Sequence, residues 1–492
     1  MLHLLETGMG SKSLKKNAFL NFVKQLLKIA FPLITFPYVS RILQEENFGK
    51  YNFSLSVSHY FLLFASLGIA TYAVREGARL RNDKEKLNRF ANEVFSINVF
   101  SSLVSYGLLF LSLLFVDKFH SYRLLILIQS ANILFNTLGT DWVNTIYEDY
   151  EYMTKRYIFV KLISLFLIFA FVREKEDYYL YTLIVVFSEV LANIANIIYV
   201  RRYVHLKLVI PSNLMVHLIP LCLLFVNELA VTVYSNADIL MIGFQLGDEY
   251  VGVYSVSSKI YQIAKGLINS VLIVMIPRLS FYLGPHGSER QYNRLLVKVL
   301  KCTLMITLPM AIGMVFLRKE AILLLGGKNY LIGASALGIL SLSLIPVCIG
   351  SVLFNGVLIP KRGEKYCLLS TFLCACVNVL LNYFLIRGIG LIGAAIATLA
   401  AEMLSAALAI YFSCKTFSVK FSLDKDFLSI IVSSAMLMIV CWLVGIKFSG
   451  IVRICASIFA GAAVYFLVLL AFHNSVVYGL LEAVKMKWKG RK

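Results

Sequence analysis

Runs of about 20 apolar residues recur along the chain, broken by short polar connections. Fourteen can be marked, at about 18–40, 51–73, 92–116, 123–145, 158–172, 179–200, 214–243, 252–277, 295–317, 333–355, 366–386, 391–412, 428–446 and 452–472. Each approaches the length an α-helix needs to cross a hydrocarbon core roughly 30 Å thick. Because the backbone polar groups of such a run must be satisfied within the membrane, helix is the form it takes. The pattern predicts an all-α integral membrane protein of about 14 transmembrane helices.

Composition strengthens that reading. Of 492 residues 59% are hydrophobic and 15% charged, with a mean hydropathy of +0.78, against about 45–50% and 25% in soluble domains. The net charge of +20 and pI near 9.4 would suit a nucleic-acid binder, but the basic residues sit in clusters between apolar runs. No nucleic acid partner is expected. With the N-terminus inside, the alternate inner connections hold 31 Lys and Arg against 12 outside, four more lysines lying within helices. That asymmetry predicts both termini in the cytoplasm. Inner clusters such as Arg75, Arg79, Arg81, Lys84, Lys86 and Arg89 would also attract anionic membrane lipids.

Other chemistries find little footing. The start of the chain has no apolar segment ending in a cleavage site, so the first run is expected to be an uncleaved helix. Eight of the nine cysteines fall in or beside apolar runs and complete no zinc spacing. No disulfide, metal or cofactor is expected. Gly388-Ile389-Gly390-Leu391-Ile392-Gly393 fits a dinucleotide fingerprint, but without a β-α-β unit its glycines instead predict a tight turn and close helix packing. No catalytic constellation appears in the connections, and the chain is not expected to be an enzyme.

An internal repeat divides the chain. Phe48-Gly49-Lys50-Tyr51-Asn52-Phe53-Ser54 aligns with Val251-Gly252-Val253-Tyr254-Ser255-Val256-Ser257, 203 residues later, and the same shift carries Arg75 onto Arg278. The shift spans six helices, so the two copies are parallel. The expected domains are 1–213 (helices 1–6), 214–412 (helices 7–12), and 413–492, two additional helices and a basic cytoplasmic tail.

Polar residues inside the runs supply the candidate chemistry. Asn17, Asn21, Lys24, Lys28 and Thr35 share one stripe of the first helix; Ser255, Lys259, Gln262, Gly266 and Asn269 share one of the eighth, with Lys265 aside. The seventh helix adds His217, Glu228, Thr232, Ser235 and Asp238, and the fourth Gln129, Asn132 and Asn136. For the uncharged residues, hydrogen bonding between helices is the favoured role. A lysine at the centre of a span costs roughly 2.5–3.5 kcal/mol, and too few carboxylates stand near to pair with all four. Lys28 and Lys259 are therefore the leading candidates for a cationic, water-filled cavity between two similar halves, with Lys24 able to snorkel. Such a cavity suits an anionic substrate, which lysine holds as it holds phosphate. Prolines 32, 37, 220, 277, 309 and 346 lie in or at the ends of helices, where each removes a backbone hydrogen bond.

The residues also resemble a known family. Phe36-Pro37-Tyr38-Val39-Ser40-Arg41-Ile42-Leu43, Phe48-Gly49-Lys50-Tyr51, Gly68-Ile69 and Arg75-Glu76 resemble the start of Wzx-type oligosaccharide flippases. The stretch Tyr234 to Gly243 with Asp238, then Val251-Gly252-Val253-Tyr254, resembles the opening of their second half. Gly326-Gly327-Lys328-Asn329-Tyr330 and Gly390 to Thr398 with Glu402 resemble two further segments. The resemblance implies membership of the multidrug/oligosaccharidyl-lipid/polysaccharide exporter superfamily, with two six-helix lobes around a central cavity plus two C-terminal helices. It implies movement of undecaprenyl-pyrophosphate-linked oligosaccharide repeat units across the bacterial inner membrane by alternating access, for O-antigen or capsule assembly alongside polysaccharide polymerase machinery. The cavity positions it carries over are Lys28 and Lys259, then Lys24, Lys265, Arg41, Arg75 and Arg278; Asp238 matches an acidic position. A lipid II flippase and an ion-coupled multidrug antiporter stand as alternatives, the lysine-rich first helix arguing against the antiporter.

Overall fold

A computed structural model describes residues 14–283, 288–417, 424–479 and 482. Among the described residues the regular structure is entirely helical, and ten helices are long and apolar enough to cross a membrane. All fourteen apolar runs fall mainly on helix. The chain divides into two compact units at Leu229/Ala230, a division that falls inside a helix.

The first unit begins with α1 (Leu14–Ser66), which contains Pro32 and Pro37 and is interrupted only at Gln44, where φ is 59°. Sequence reading expects a polar connection across 41–50. Only Gln44 within it is non-helical, and beyond that break Glu46 and Lys50 pair at 2.7 Å one turn apart and Asn47 Nδ2 donates to the Lys175 carbonyl. The expected run 51–73 is broken in turn at Leu67 (φ 44°) and Gly68 (φ 72°), after which α2 (Ile69–Leu80) sets off anew. A side chain at Gly68 would strike Leu224 in addition to being strained in the left-handed region.

The helix α3 (Lys84–Phe115) is capped by Asp83, whose carboxylate accepts from the Lys86 N–H and is held below its ordinary pKa by that bond. Then come α4 (Asp117–His120), α5 (Arg123–Gly139), α6 (Asp141–Ile146), α7 (Tyr150–Phe171) and α8 (Tyr178–Val200). The faces of α3 are reversed relative to a soluble helix: Asn98, Ser101, Ser102 and Ser105 are buried while Phe100 and Phe115 are exposed. The buried side chains have a specific task. Asn98 Nδ2 and Ser101 Oγ both donate to the Ala65 carbonyl, at 2.9 and 2.6 Å, satisfying a helix end that the Leu67–Gly68 break would leave without a partner. Gln129 on α5 similarly joins Ser54 and Ser58 of α1, as the hydrogen-bonding role predicts.

α9 (Leu214–Gln245) crosses the division. The second unit continues with α10 (Asp248–Tyr282), α11 (Glu289–Phe316), α12 (Arg318–Leu325), α13 (Ala334–Leu353), α14 (Glu364–Ile389), α15 (Leu391–Phe417), α16 (Lys425–Lys447) and α17 (Gly450–Ala471). Gly390 (φ 61°) makes the turn between α14 and α15, and a Cβ on Gly393 would collide with the Leu385 carbonyl. The dinucleotide-like glycines thus serve turning and close packing. The first copy of the repeat follows the Gln44 break in α1 and the second the start of α10, and both bury the same positions: Tyr51, Phe53 and Ser54 in α1, Tyr254, Val256 and Ser257 in α10.

Candidate functional site

The second unit holds a buried polar network across four helices. Asp238, on α9, accepts hydrogen bonds from Tyr254 Oη of α10 at 2.7 Å, Asn382 Nδ2 of α14 at 2.8 Å and Thr398 Oγ1 of α15 at 2.8 Å. Asn382 also donates to Asn378 Oδ1, one turn earlier on the same helix, at 3.1 Å. One turn beyond Thr398, Glu402 accepts from Tyr261 Oη at 3.1 Å and from Lys265 Nζ at 2.8 Å. The register explains the assembly. Tyr254, Tyr261 and Lys265 are separated by seven and four residues, which sets them on one face of α10 opposite the Thr398–Glu402 pair on α15. The Lys265 ammonium lies 5.7 and 5.8 Å from the Tyr234 and Tyr261 ring centres, a cation–π arrangement.

Lys265 is thus paired with Glu402, whose side chain is 6% exposed. Lys259 differs. Five residues from Tyr254, it is turned about 140° away from the network face, is partly buried, and has no carboxylate partner among the described residues. Arg278, near the end of α10, is exposed.

In the first unit Lys24 is partly buried on α1, and Arg41 is exposed three residues before the Gln44 break. The side chain of Lys28 lies outside the described residues. Arg75 is an exposed α2 residue whose Nε meets Glu76 Oε1 at 2.9 Å. Of the other polar positions, Glu228 accepts from Thr71 Oγ1 at 3.4 Å, and His217 is enclosed between Tyr72 Oη at 2.8 Å and Glu93 Oε2 at 2.9 Å. Among the described residues no cluster of three or more His, Cys, Asp or Glu side chains could hold a metal ion, and the nine cysteines are unbridged.

A family model described as polysaccharide biosynthesis protein matches residues 14–282, more than half of the chain. The chain belongs to that family. A second family model, described as Lipid II flippase MurJ, matches residues 159–469. A protein of Escherichia coli (strain K12) named for O-antigen transport is 27% identical over 278 residues, which cover 54% of this chain and 65% of that protein. One of the same name from Shigella dysenteriae is 23% identical over 80% of this chain and 98% of its own length. Among solved structures, a lipid II flippase MurJ in an inward closed conformation superposes with a TM-score of 0.76 at 19% identity, covering 94% of this chain and 99% of that one. An inward-facing multidrug resistance transporter of the MATE family gives 0.58 at 13% identity, covering 84% and 96%. The fold is therefore that of these membrane transporters, and the chain is a multi-pass bacterial membrane protein.

Within this family fold, the residues that sequence reading missed are Tyr254, Tyr261, Asn378, Asn382 and Thr398. Tyr254, Thr398 and Glu402 stand in stretches quoted for the family resemblance, but nothing in those stretches assigns them a common partner. The signal that could have found Asn378 and Asn382 is their one-turn spacing on an otherwise apolar helix.

Proposed function

We propose that this protein is a flippase that carries undecaprenyl-pyrophosphate-linked oligosaccharide repeat units across the bacterial inner membrane by alternating access, for surface polysaccharide assembly. Family membership and the relatives named for O-antigen transport support the substrate class. The observation that carries the reading is Lys259: a cation within an apolar span, off the face that holds the acidic network and without a carboxylate partner among the described residues. Such a charge is costly in lipid unless it meets water or an anion, and a pyrophosphate supplies the anion. Lys265, balanced by Glu402, serves as a structural ion pair in this reading. Exposed Arg75 and Arg278 serve as contacts to anionic headgroups, and both termini lie in the cytoplasm.

A lipid II flippase is the second reading, favoured by the MurJ family model over residues 159–469. Complementation separates the two. The chain expressed in a strain lacking its O-antigen flippase should restore surface polysaccharide. Rescue of a lipid II flippase depletion instead would select the second reading, and drug resistance without either rescue would mark a multidrug antiporter.

A further inference from the structure

The connection from α8 to α9 is bound to α3 by a matched ladder. The backbone N–H groups of His205, Lys207 and Val209 donate to Asn88 Oδ1, Asn92 Oδ1 and Ser96 Oγ, each at 2.8 Å. Alternate residues of an extended chain advance about 6.6 Å, and every fourth residue of a helix about 6 Å, so the two periods stay in step over all three bonds. After Ile210-Pro211 the chain turns back: Ser212 Oγ and N–H both donate to Glu93 Oε1, at 2.8 and 3.3 Å. Glu93 Oε2 meets His217 at the start of α9. From Asn88 to Ser96 the segment follows α3 for about 12 Å before returning.

Its two sides differ in chemistry. Val204 and Leu206 pack inward against the cluster of Tyr72, Leu87 and Phe90. The turning tip is apolar yet open, with Leu208 68% and Ile210 95% exposed. Towards the other end of the segment, beside Asn88 and Asn92, Arg89, Arg201 and Lys207 are exposed, without acidic partners among the described residues. Arg202, by contrast, is held by Asp149 and stacked on Tyr199 and Tyr203. An apolar tip with basic residues at its base is the arrangement of an interfacial membrane anchor. It is complementary to an anionic bilayer, where each nearby Lys or Arg favours binding about fivefold.

We infer that residues 201–216 form a lipid-anchoring wedge, in which Leu208 and Ile210 enter the acyl region while Arg89, Arg201 and Lys207 hold the phosphates of anionic phospholipids. The wedge lies wholly within the first unit, and its assignment does not rest on the transported substrate.

The test uses Ile210→Trp in the full-length chain, reconstituted into vesicles of phosphatidylcholine and phosphatidylglycerol with bromine on the acyl chains of one lipid or the other. The difference in emission from the unsubstituted protein isolates the tip. It should be quenched by both lipids, and at least about fivefold more effectively by brominated phosphatidylglycerol, the contribution of a single basic residue, an excess that raised salt reduces. Combining Arg89→Gln, Arg201→Gln and Lys207→Gln should abolish the excess and keep the quenching. Leu208→Trp gives a second reporter at the same tip. Emission insensitive to either lipid would overturn the wedge, whether it is characteristic of water or of a tip covered by a second copy of the chain. Equal quenching by both lipids with the basic residues intact would overturn the headgroup site.

Discussion

Whether Lys265 is a structural ion pair or a substrate-binding cation can be decided by a double-variant cycle with Glu402. At 2.8 Å the Coulomb attraction is about 6 kcal/mol for an effective dielectric constant near 20, much of it offset by the desolvation of both ions. Removing one partner of a buried pair usually costs about 3–5 kcal/mol, because the other charge stays behind uncompensated. The Lys265 side chain is 30% exposed, so water can reach it and the lower end, about 3 kcal/mol, is expected for Lys265→Met. Glu402→Gln should cost a similar amount less whatever the amide recovers from the Tyr261 hydroxyl. In the double variant no charge is stranded, and the loss should fall to about 1 kcal/mol, leaving a coupling well above the 0.3–0.5 kcal/mol scatter of independent sites. The assay is thermal unfolding of the full-length protein in detergent at one scan rate, where each single variant should lower Tm by roughly 3 °C, from about 2.1 cal/mol/K per residue over 492 residues. Transport should survive in the double variant. Additive losses would refute the pairing, and a stable Lys265→Met protein devoid of transport would return Lys265 to the substrate.

Lys259→Ala should abolish polysaccharide rescue while its abundance in the membrane, measured by immunoblot, stays at the level of the unsubstituted protein; full rescue would remove Lys259 from the transport path. Asp238→Leu deprives Tyr254, Asn382 and Thr398 of their shared acceptor. At about 1 kcal/mol for each stranded donor it should cost about 3 kcal/mol, read as a lower Tm in detergent. Gly393→Val drives a branched side chain into the Leu385 carbonyl and should lower the amount of folded protein recovered by size exclusion, whereas Gly388→Ala, where a Cβ meets nothing within 4 Å, should not.

The sequence by itself determined the medium and the elements. A bilayer sets a minimum length and favours helix for each apolar crossing, and the fourteen apolar runs fall mainly on helix. Local chemistry carried the glycine turn at Gly390 in the same way, since its backbone demand is met within a few residues. Boundaries that depend on neighbours were less legible. The resumption of helix after the Gln44 break is accompanied by a bond from Asn47 to the carbonyl of Lys175, 128 residues away, and the break at Leu67–Gly68 is met by Asn98 and Ser101, which donate to the Ala65 carbonyl.

What only the tertiary structure decided is which polar residues meet. Helical spacing sorts side chains onto the faces of one helix but does not say which helix stands opposite. Lys259 and Lys265 therefore look alike in sequence, and their difference comes from α15, which brings Glu402 to Lys265 from 137 residues away and leaves Lys259 on another face. Asp238 acquires its three donors in the same manner, from helices spread over 160 residues. An apolar pattern can be read from one strand of text because water and lipid act on each residue separately. A hydrogen-bond partner cannot, because it exists only once the helices have packed.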